Sequence, residues 1–434
     1  MKIVGGKWSN WSGGVVCKPR QVVAPRDEVE LAAEVRKAAG PVRVPGTGHS
    51  FTPLNATAGT IIDLAAFDGL KGFDPDKQAV TFGAATPLWE IGALIHPMGV
   101  GLKNMGDIDR QTLGGVVGTG THGTGPSLKS FSAEVAGFRL LLANGDIIHC
   151  SADENEDVFA GGRTSFGALG VMTEISMYVR PAYKLVENNF LLPLDELFER
   201  LSELVQKTRH FEFFCFPYSD VAVCKSLDES HGDAPEPRTA EDMRKRGERV
   251  GGESRTFIWI NELLPYVPFM LKPAHRLFSQ LMPGTGRVRW SHEIFPSPRP
   301  VRFNEMEYAV PVEKGPDTVR EIIKMVRSRR INTGFPLEYR TVAADDVWMS
   351  PFYERPSATI AVHQYHKVDT AKLFDACEAI FRNADGRPHW GKRHTRTATE
   401  LAHLYPRYQA FRELRRRLDP IGKFLNPYLR SLFE

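Results

Sequence analysis

Val44-Pro45-Gly46-Thr47-Gly48-His49-Ser50 runs on directly from a short apolar strand signal, Val42-Arg43-Val44, and breaks it with two glycines one residue apart. A loop of this kind frees successive backbone N–H groups to form a concave anion site of the sort that holds a pyrophosphate. It is not the dinucleotide fingerprint, because the third glycine of G-x-G-x-x-G is missing and no helix signal follows at once. Read alone, the same residues also describe a tight turn, with His49 as a hydrogen-bonding turn residue.

Working outward, Val22-Val23 reads as a strand and Asp27 as the cap of a helix that runs to Ala39, where Gly40-Pro41 stops it. Gly59 to Leu64 and Ala79 to Ala84 are strand candidates, and Pro87 opens a helix to about His96. From Gly106 to Gly125 seven glycines mix with threonines and His122 without strand alternation, which predicts an irregular backbone able to approach a ligand closely. Glu134 to Cys150 reads as a hairpin on Asn144-Gly145, Glu174 to Val179 as a strand, and Pro181 as the first boundary.

The second half opens with a helix over Leu194 to Lys207 and an aromatic strand over His210 to Tyr218, expected to be buried on both faces. Leu227 to Arg255 is polar and predicts an exposed connection; Phe257 to Leu271 is apolar and predicts core or pocket wall, with interfacial, peripheral membrane contact as the lesser alternative. Asn304 to Val310, Phe335 to Val342 and Ala358 to Tyr365 are strands, with a helix from Pro316 to about Arg330 between the first two. A terminal helical stretch covers Leu418 to Phe433.

The chain has 434 residues, 42% hydrophobic and 25% charged, enough for two sizeable cores. A net charge of +3 leaves no chain-wide basic field for nucleic acid or membrane; Arg412, Arg415, Arg416 and Arg417 predict a local solvated or phosphate-facing surface. Five scattered cysteines without C-x-x-C spacing predict reduced thiols, no zinc site and a cytoplasmic protein. No apolar run is long enough for an integral membrane segment.

Arg43 to Phe51, Thr119-Gly120-Thr121-His122-Gly123-Thr124-Gly125 and Pro388-His389-Trp390-Gly391-Lys392 together resemble the aldonolactone oxidoreductases and alditol oxidases, vanillyl-alcohol-oxidase-type flavoproteins. Phe211-Glu212-Phe213-Phe214, Glu305-Met306-Glu307-Tyr308 and Ile360 to Tyr365 are similar to the sugar-1,4-lactone branch, the L-gulonolactone and D-arabinonolactone oxidases and dehydrogenases. The resemblance implies a two-domain α+β protein: a PCMH-type FAD-binding domain over 1–181, a cap domain over 182–386 built on an antiparallel sheet flanked by helices, and a segment, 387–434, that returns to the first. It also implies FAD bonded through its 8α-methyl carbon to His49. Contacts would come from Val44, Pro45, Gly46, Thr47, Gly48, Ser50, Gly106, Thr112, Gly115, Thr119, Gly120, Thr121, His122, Val171, His389 and Lys392. No cysteine between Gly115 and Gly125 offers a second tether.

Glu338 and Arg340, two apart on a strand, leave the same face; from spacing alone a structural ion pair is the commoner outcome. The resemblance instead makes them the pair that holds the reacting hydroxyl, with Lys392 as the cation at the flavin N1/C2=O edge. It places Asp107, His363 and Tyr365 against the substrate. Alditol oxidases carry serine at the position of Asp107 and threonine at that of Tyr365, so a lactone (D-arabinono-, L-gulono- or L-galactono-1,4-lactone) is favoured over a polyol such as xylitol or sorbitol. Glycine at position 106 favours O2 as acceptor, giving H2O2, with a dehydrogenase using another acceptor as the alternative. A flavin-binding protein without turnover is a reading from another class, disfavoured by Glu338, Arg340 and Lys392. No metal is expected.

Overall fold

The computed structural model describes residues 3–248, 252–280, 284–297, 299 and 301–434. Asp27 caps the helix Glu28–Lys37 by accepting from the Glu30 N–H, and Leu31, Ala32 and Val35 bury its inner face. This helix carries the chain between two parallel strands: Gln21–Val23 and Val42–Arg43 flank Thr60–Ile62. The glycine loop therefore leaves the end of a short buried strand. Arg43, also buried, anchors that strand by donating to the carbonyls of Gly167 and Phe424 at 3.0 and 2.7 Å.

A second sheet is antiparallel, ordered Ile147–Ser151, Val135–Leu141, Val171–Pro181, Ala79–Gly83 and Leu70–Asp74, with the expected hairpin at its edge. The glycine-rich stretch is not irregular throughout. Leu113–Thr119 is a helix, because Leu113, Val116 and Val117 fall on one buried face and Gly120, with φ of 72°, closes it. Frequent glycines concealed that short period in the sequence.

The third sheet has eight strands. In space they run Arg287–Trp290, Lys184–Pro193, Val221–Ser230, His210–Cys215, Leu337–Val342, Ser357–Tyr365, Phe303–Pro311 and Arg387–Pro388. The two-residue period sorts their side chains sharply. Phe211, Phe213, Leu337, Tyr339, Ile360, Val362, Met306 and Tyr308 form a core under the helices Leu194–Lys207, Gly315–Ser328 and Ala371–Asn383. The register pairs Glu212 with Arg340, Glu338 with Ala361, Ala361 with Glu307, and His363 with Glu305, so the opposite face collects charge. Arg387–Pro388 adds the last strand, bringing the C-terminal segment back; Trp390, Phe411 and Phe433 then pack around Phe166.

Several expectations are corrected. Leu227 to Arg255 is not a bare connection: Val221–Ser230 extends the sheet and Ala240–Glu248 is a helix with Met243 buried, while residues 249–251 lie outside those described. Phe257 to Leu271 is core only in part: among the described residues Trp259, Leu263, Tyr266 and Phe269 are exposed, whereas Leu264 and Leu271 are buried with Phe216 and Phe278, Ile260 packs against them, and Ile258 packs against the cluster of Phe51, Phe303 and Phe335. Among the terminal arginines Arg415 is buried and donates to the Asp419 carbonyl, so that stretch is not a uniform solvated face. The terminal helical stretch is two helices, Tyr408–Leu418 and Pro427–Phe433. Among the described residues no helix is long and apolar enough to cross a membrane.

Burial also sets an acid limit on stability. His210, His275 and His292 are buried, and in each ring Nε2 has no hydrogen-bond partner. Burial pulls His210 down to about 3 and the other two to about 4, so all three are neutral in the fold. The unfolded chain takes up those protons as pH drops below about 6.5, so stability falls with pH between about 6.5 and 4. Urea unfolding at intervals across that window should show a steadily falling midpoint, with the unfolding free energy dropping by about 1 kcal/mol or more per histidine; a flat midpoint would mean that the three rings titrate freely in the fold.

Candidate active site

Two adjoining cavities lie where the sheets and the returning segment meet. The larger, of about 350 Å3, is walled by residues 43–50, by Thr112, Gly115 and Thr119 at the short helix, and by Gly170 to Met172. A Cβ at Gly46 would stand 2.3 Å from Thr112 Oγ1, so a larger residue there would force Thr112 to move. Gly48 adopts φ of 80°, which turns the loop back on itself. Among the described residues no hydrogen bond uses the N–H groups of Gly46, Thr47, Gly48, His49 or Ser50. A cavity lined by a loop with unpaired N–H groups fits a dinucleotide with its pyrophosphate over this loop.

His49 stands where the groove meets the second cavity and lines both. Its ring stacks on Trp11, with centroids 5.5 Å apart. Burial, reinforced by the Lys392 charge, lowers its pKa to about 4.

The second cavity, of about 70 Å3, is walled by Gly106, Asp107, His122, Glu305, Glu307, Glu338, Arg340, His363, His389 and Lys392 among others. Two charge networks cross it. In the first, Arg340 Nε donates to Glu212 at 2.7 Å and its Nη2 to Asp107 at 2.9 Å, and it also touches Glu338 Oε1. Lys225 backs this group, 3.0 Å from Glu212 and 3.8 Å from Asp107. Burial alone would raise Asp107, but Lys225, Arg340 and Arg299 outweigh it and hold the carboxyl at about 2. Glu338 goes the other way: burial, with Asp107 and Glu212 nearby, raises it above the usual carboxylate range despite Arg340. Its Oε1 touches the guanidinium and makes no contact of hydrogen-bond geometry.

In the second network Lys392 pairs with Glu305 and His122 Nε2 lies 2.6 Å from Glu307. His122 Nδ1 is 2.8 Å from the Gly123 carbonyl, so both ring nitrogens face oxygens. Burial opposes ionisation of Glu305 and Glu307, but Lys392 with His363 holds Glu305 at about 2 and His122 keeps Glu307 well below its usual range. His363 joins the two networks, with Nε2 3.6 Å from Glu305 and 3.9 Å from Glu338.

The structure thus gathers most of the sequence-nominated residues around these two cavities. Tyr365 is an exception: its hydroxyl donates to Glu262 and its ring packs with Phe303 and Phe335, behind the wall that His363 forms. Gly120 turns the backbone and lines neither cavity. Sequence reasoning gave no role to Glu212, Lys225, Glu305, Glu307, Trp11 or Arg299. A usable signal existed for three of them: Glu212, Glu305 and Glu307 sit within strands that are otherwise apolar, and a carboxylate fully buried there needs a cationic partner.

A family model described as D-arabinono-1,4-lactone oxidase matches residues 175–432, and one described as FAD binding domain matches residues 19–151. L-gulono-1,4-lactone dehydrogenase of Mycobacterium tuberculosis (strain H37Rv) is 37% identical over 428 residues, covering 98% of each chain. L-gulonolactone oxidase of Bos taurus is 30% identical over 99% of this chain and 98% of its own. Alditol oxidase of a Streptomyces species is 29% identical over 98% of this chain and 99% of its own. The crystal structure of cholesterol oxidase from B. sterolicum superposes with a TM-score of 0.83 at 15% identity, covering 99% and 97% of the two chains, a likeness of fold.

Proposed function

This chain belongs to the D-arabinono-1,4-lactone oxidase family and carries an FAD-binding domain, and from that premise we propose that it oxidises a sugar-1,4-lactone at a carbinol carbon held between Glu338 and Arg340. FAD, when bound, supplies the hydride acceptor. The observation that carries the reading is a guanidinium pinned by Asp107, Glu212 and Glu338 in the wall of a cavity that Lys392 and His389 also line.

Arg340 cannot swing away, since Glu212 and Asp107 hold its Nε and Nη2. It presents a fixed positive charge to the alkoxide character that develops as the hydride leaves. Glu338 orients the hydroxyl and accepts its proton, a role suited to a carboxylate whose affinity for protons has been raised. His363 lies beside the pair, with Nε2 3.9 Å from Glu338 and 3.6 Å from Glu305. Lys392 would face the N1/C2=O edge, and Val44 to Ser50, Gly106, Thr112, Gly115, Thr119, Thr121, His122, Val171 and His389 would hold the rest of the cofactor, largely through main-chain groups. The tether is His49. Asp107 fixes Arg340 and, with His363, shapes the substrate site. We place the domain boundaries at 181 and 386, supported by the separate sheets that meet between Val171–Pro181 and Lys184–Pro193.

We take O2 as the acceptor, giving H2O2, because position 106 bears no side chain and a Cβ there would press on the His122 carbonyl oxygen at 3.1 Å. A panel of L-gulono-, L-galactono- and D-arabinono-1,4-lactones against xylitol and sorbitol tests the substrate: kcat/KM should be highest for a lactone, and turnover of polyols alone would rank alditol oxidation first.

Two further outcomes follow from the geometry. Glu338 must be ionised to accept a proton, and its pKa lies above that of an ordinary glutamate. The acid limb of kcat/KM against pH should therefore lie above that of an ordinary glutamate and vanish with the residual activity of Glu338→Gln; a limb unaltered by that substitution would assign it to another group. Lys392→Met should slow anaerobic flavin reduction about 10²-fold, the scale of losing one preorganised charge. A wild-type reduction rate in that variant would dissociate Lys392 from the reaction.

A further inference from the structure

A third cavity, of about 170 Å3, shares Trp11, His49, Ile108 and Arg299 with the reactive pocket, and its remaining wall is Asp109, Arg110, Arg246, Pro296 and Ser297. Nothing in the oxidation of a neutral lactone calls on it. Its charge is unbalanced. Arg110 pairs with Asp109 through two contacts of 2.8 and 3.3 Å and is anchored to the Met243 carbonyl at 2.7 Å. Arg246 donates to the carbonyls of Glu293 and Pro296, at 2.9 and 2.8 Å, and among the described residues has no carboxylate within ion-pair distance. Arg299 reaches Asp107 at 3.2 Å, but that carboxylate already serves Arg340 at 2.9 Å and Lys225 at 3.8 Å. Among the described residues three guanidinium groups therefore share a pocket whose lining includes one carboxylate, Asp109.

Each of the three is held in place by the chain itself, through backbone carbonyls or a carboxylate, with N–H groups to spare, since a guanidinium has five. Preorganised guanidinium groups around a partly enclosed space are the chemistry that binds planar or tetrahedral oxyanions. Their concentration beside the reactive pocket also raises the local concentration of anions.

We propose that this cavity is an anion-binding site for a phosphate-, sulfonate- or carboxylate-type group, with Arg246 and Arg110 as its ligands and Arg299 as its link to Asp107. Two sources present that chemistry: an acidic tail on the sugar substrate, or a small anionic electron acceptor that reaches the cofactor past His49. The site goes beyond lactone oxidation and does not depend on it.

The test is calorimetric titration of the oxidised holoenzyme with ferrocyanide and with inorganic phosphate, followed in parallel by tryptophan fluorescence, since Trp11 lines the cavity and Trp89 lies under Arg110. One saturable site per chain is expected, weakened about tenfold or more by Arg246→Gln, the scale of losing charge-assisted hydrogen bonds. Ser297→Asp, which adds a carboxylate while leaving the arginines tethered, should abolish binding and covers the case in which Arg246→Gln does not fold. Flavin content and kcat on an uncharged lactone should be unchanged in Ser297→Asp. If Arg246→Gln selectively lowers kcat/KM for ferricyanide relative to a neutral quinone, the anion is an acceptor. If it selectively raises KM for a phosphorylated or carboxylated lactone relative to the uncharged one, the anion belongs to the substrate. Absence of saturable binding, or binding indifferent to Arg246→Gln and Ser297→Asp, overturns the site whether or not lactones are oxidised.

Discussion

Arg340→Met is expected to lower kcat/KM for a lactone about 10²–10³-fold, as removal of one preorganised oxyanion donor does, and to destabilise the fold by about 3–5 kcal/mol, as breaking one side of a buried ion pair does. The two effects share a cause. Arg340 is buried among Asp107, Glu212 and Glu338, and burial would favour its neutral form were the carboxylates not holding it charged, with its pKa well above the ordinary value. Methionine fills much of the same volume but leaves three carboxyl groups facing one another, with Lys225 and Arg299 as the remaining close cations. Glu338 would then rise further, and part of the lost stability would return at low pH as these carboxyls take up protons: with folded-state pKa values raised above the unfolded ones, the penalty is present at neutral pH and relieved as pH falls. Arg340→Lys should recover part of the stability but little of the rate, since one ammonium cannot hold Glu212 and Asp107 from two sides. Kinetics and urea unfolding of both variants check this, and a wild-type kcat/KM in Arg340→Met would remove the guanidinium from the reaction.

The second large effect concerns His49. Acid denaturation should leave the yellow flavin fluorescence with the wild-type polypeptide, whereas His49→Ala should release essentially all of it. The physical basis is a ring that is neutral at ordinary pH, because burial and the Lys392 charge hold it at about 4. An unprotonated imidazole has a free lone pair for bonding to carbon, and stacking on Trp11 limits its rotation. The loop places it where the groove opens into the reactive pocket. Flavin released from the wild-type protein would leave FAD in the site but sink the covalent attachment. His49→Ala should still fold and bind the cofactor, since the N–H groups of the loop are main-chain groups.

How much of this could be read beforehand depends on the range over which each feature is decided. The shared face of Glu338 and Arg340 follows from a two-residue period and was legible, as was the burial of the aromatic strand His210–Cys215 on both faces. What opposes those residues was not. Asp107 meets Arg340 across 233 positions, Glu212 meets it across 128, and His122 meets Glu307 across 185. A strand period gives the direction of a side chain, while its partner is set by which strands become neighbours. Tyr365 shows the same limit in reverse: it shares a face with His363, yet the strand carries it two residues past the cavity to Glu262. Leu113–Thr119 was hidden because three of its seven residues are glycine, which erased the apolar period that buries it. The exposed Trp259, Leu263, Tyr266 and Phe269 were misplaced because apolar composition reports a preference for burial and not the availability of a surface to bury against.

The most direct test is to mix the oxidised holoenzyme with each 1,4-lactone in the absence of oxygen and follow the flavin absorbance. Loss of the oxidised flavin band with at least one lactone, slowed at least about 10²-fold in Glu338→Gln, is the predicted result. A flavin that stays oxidised with every lactone, or that is bleached by xylitol or sorbitol alone, would contradict sugar-lactone oxidation at this site.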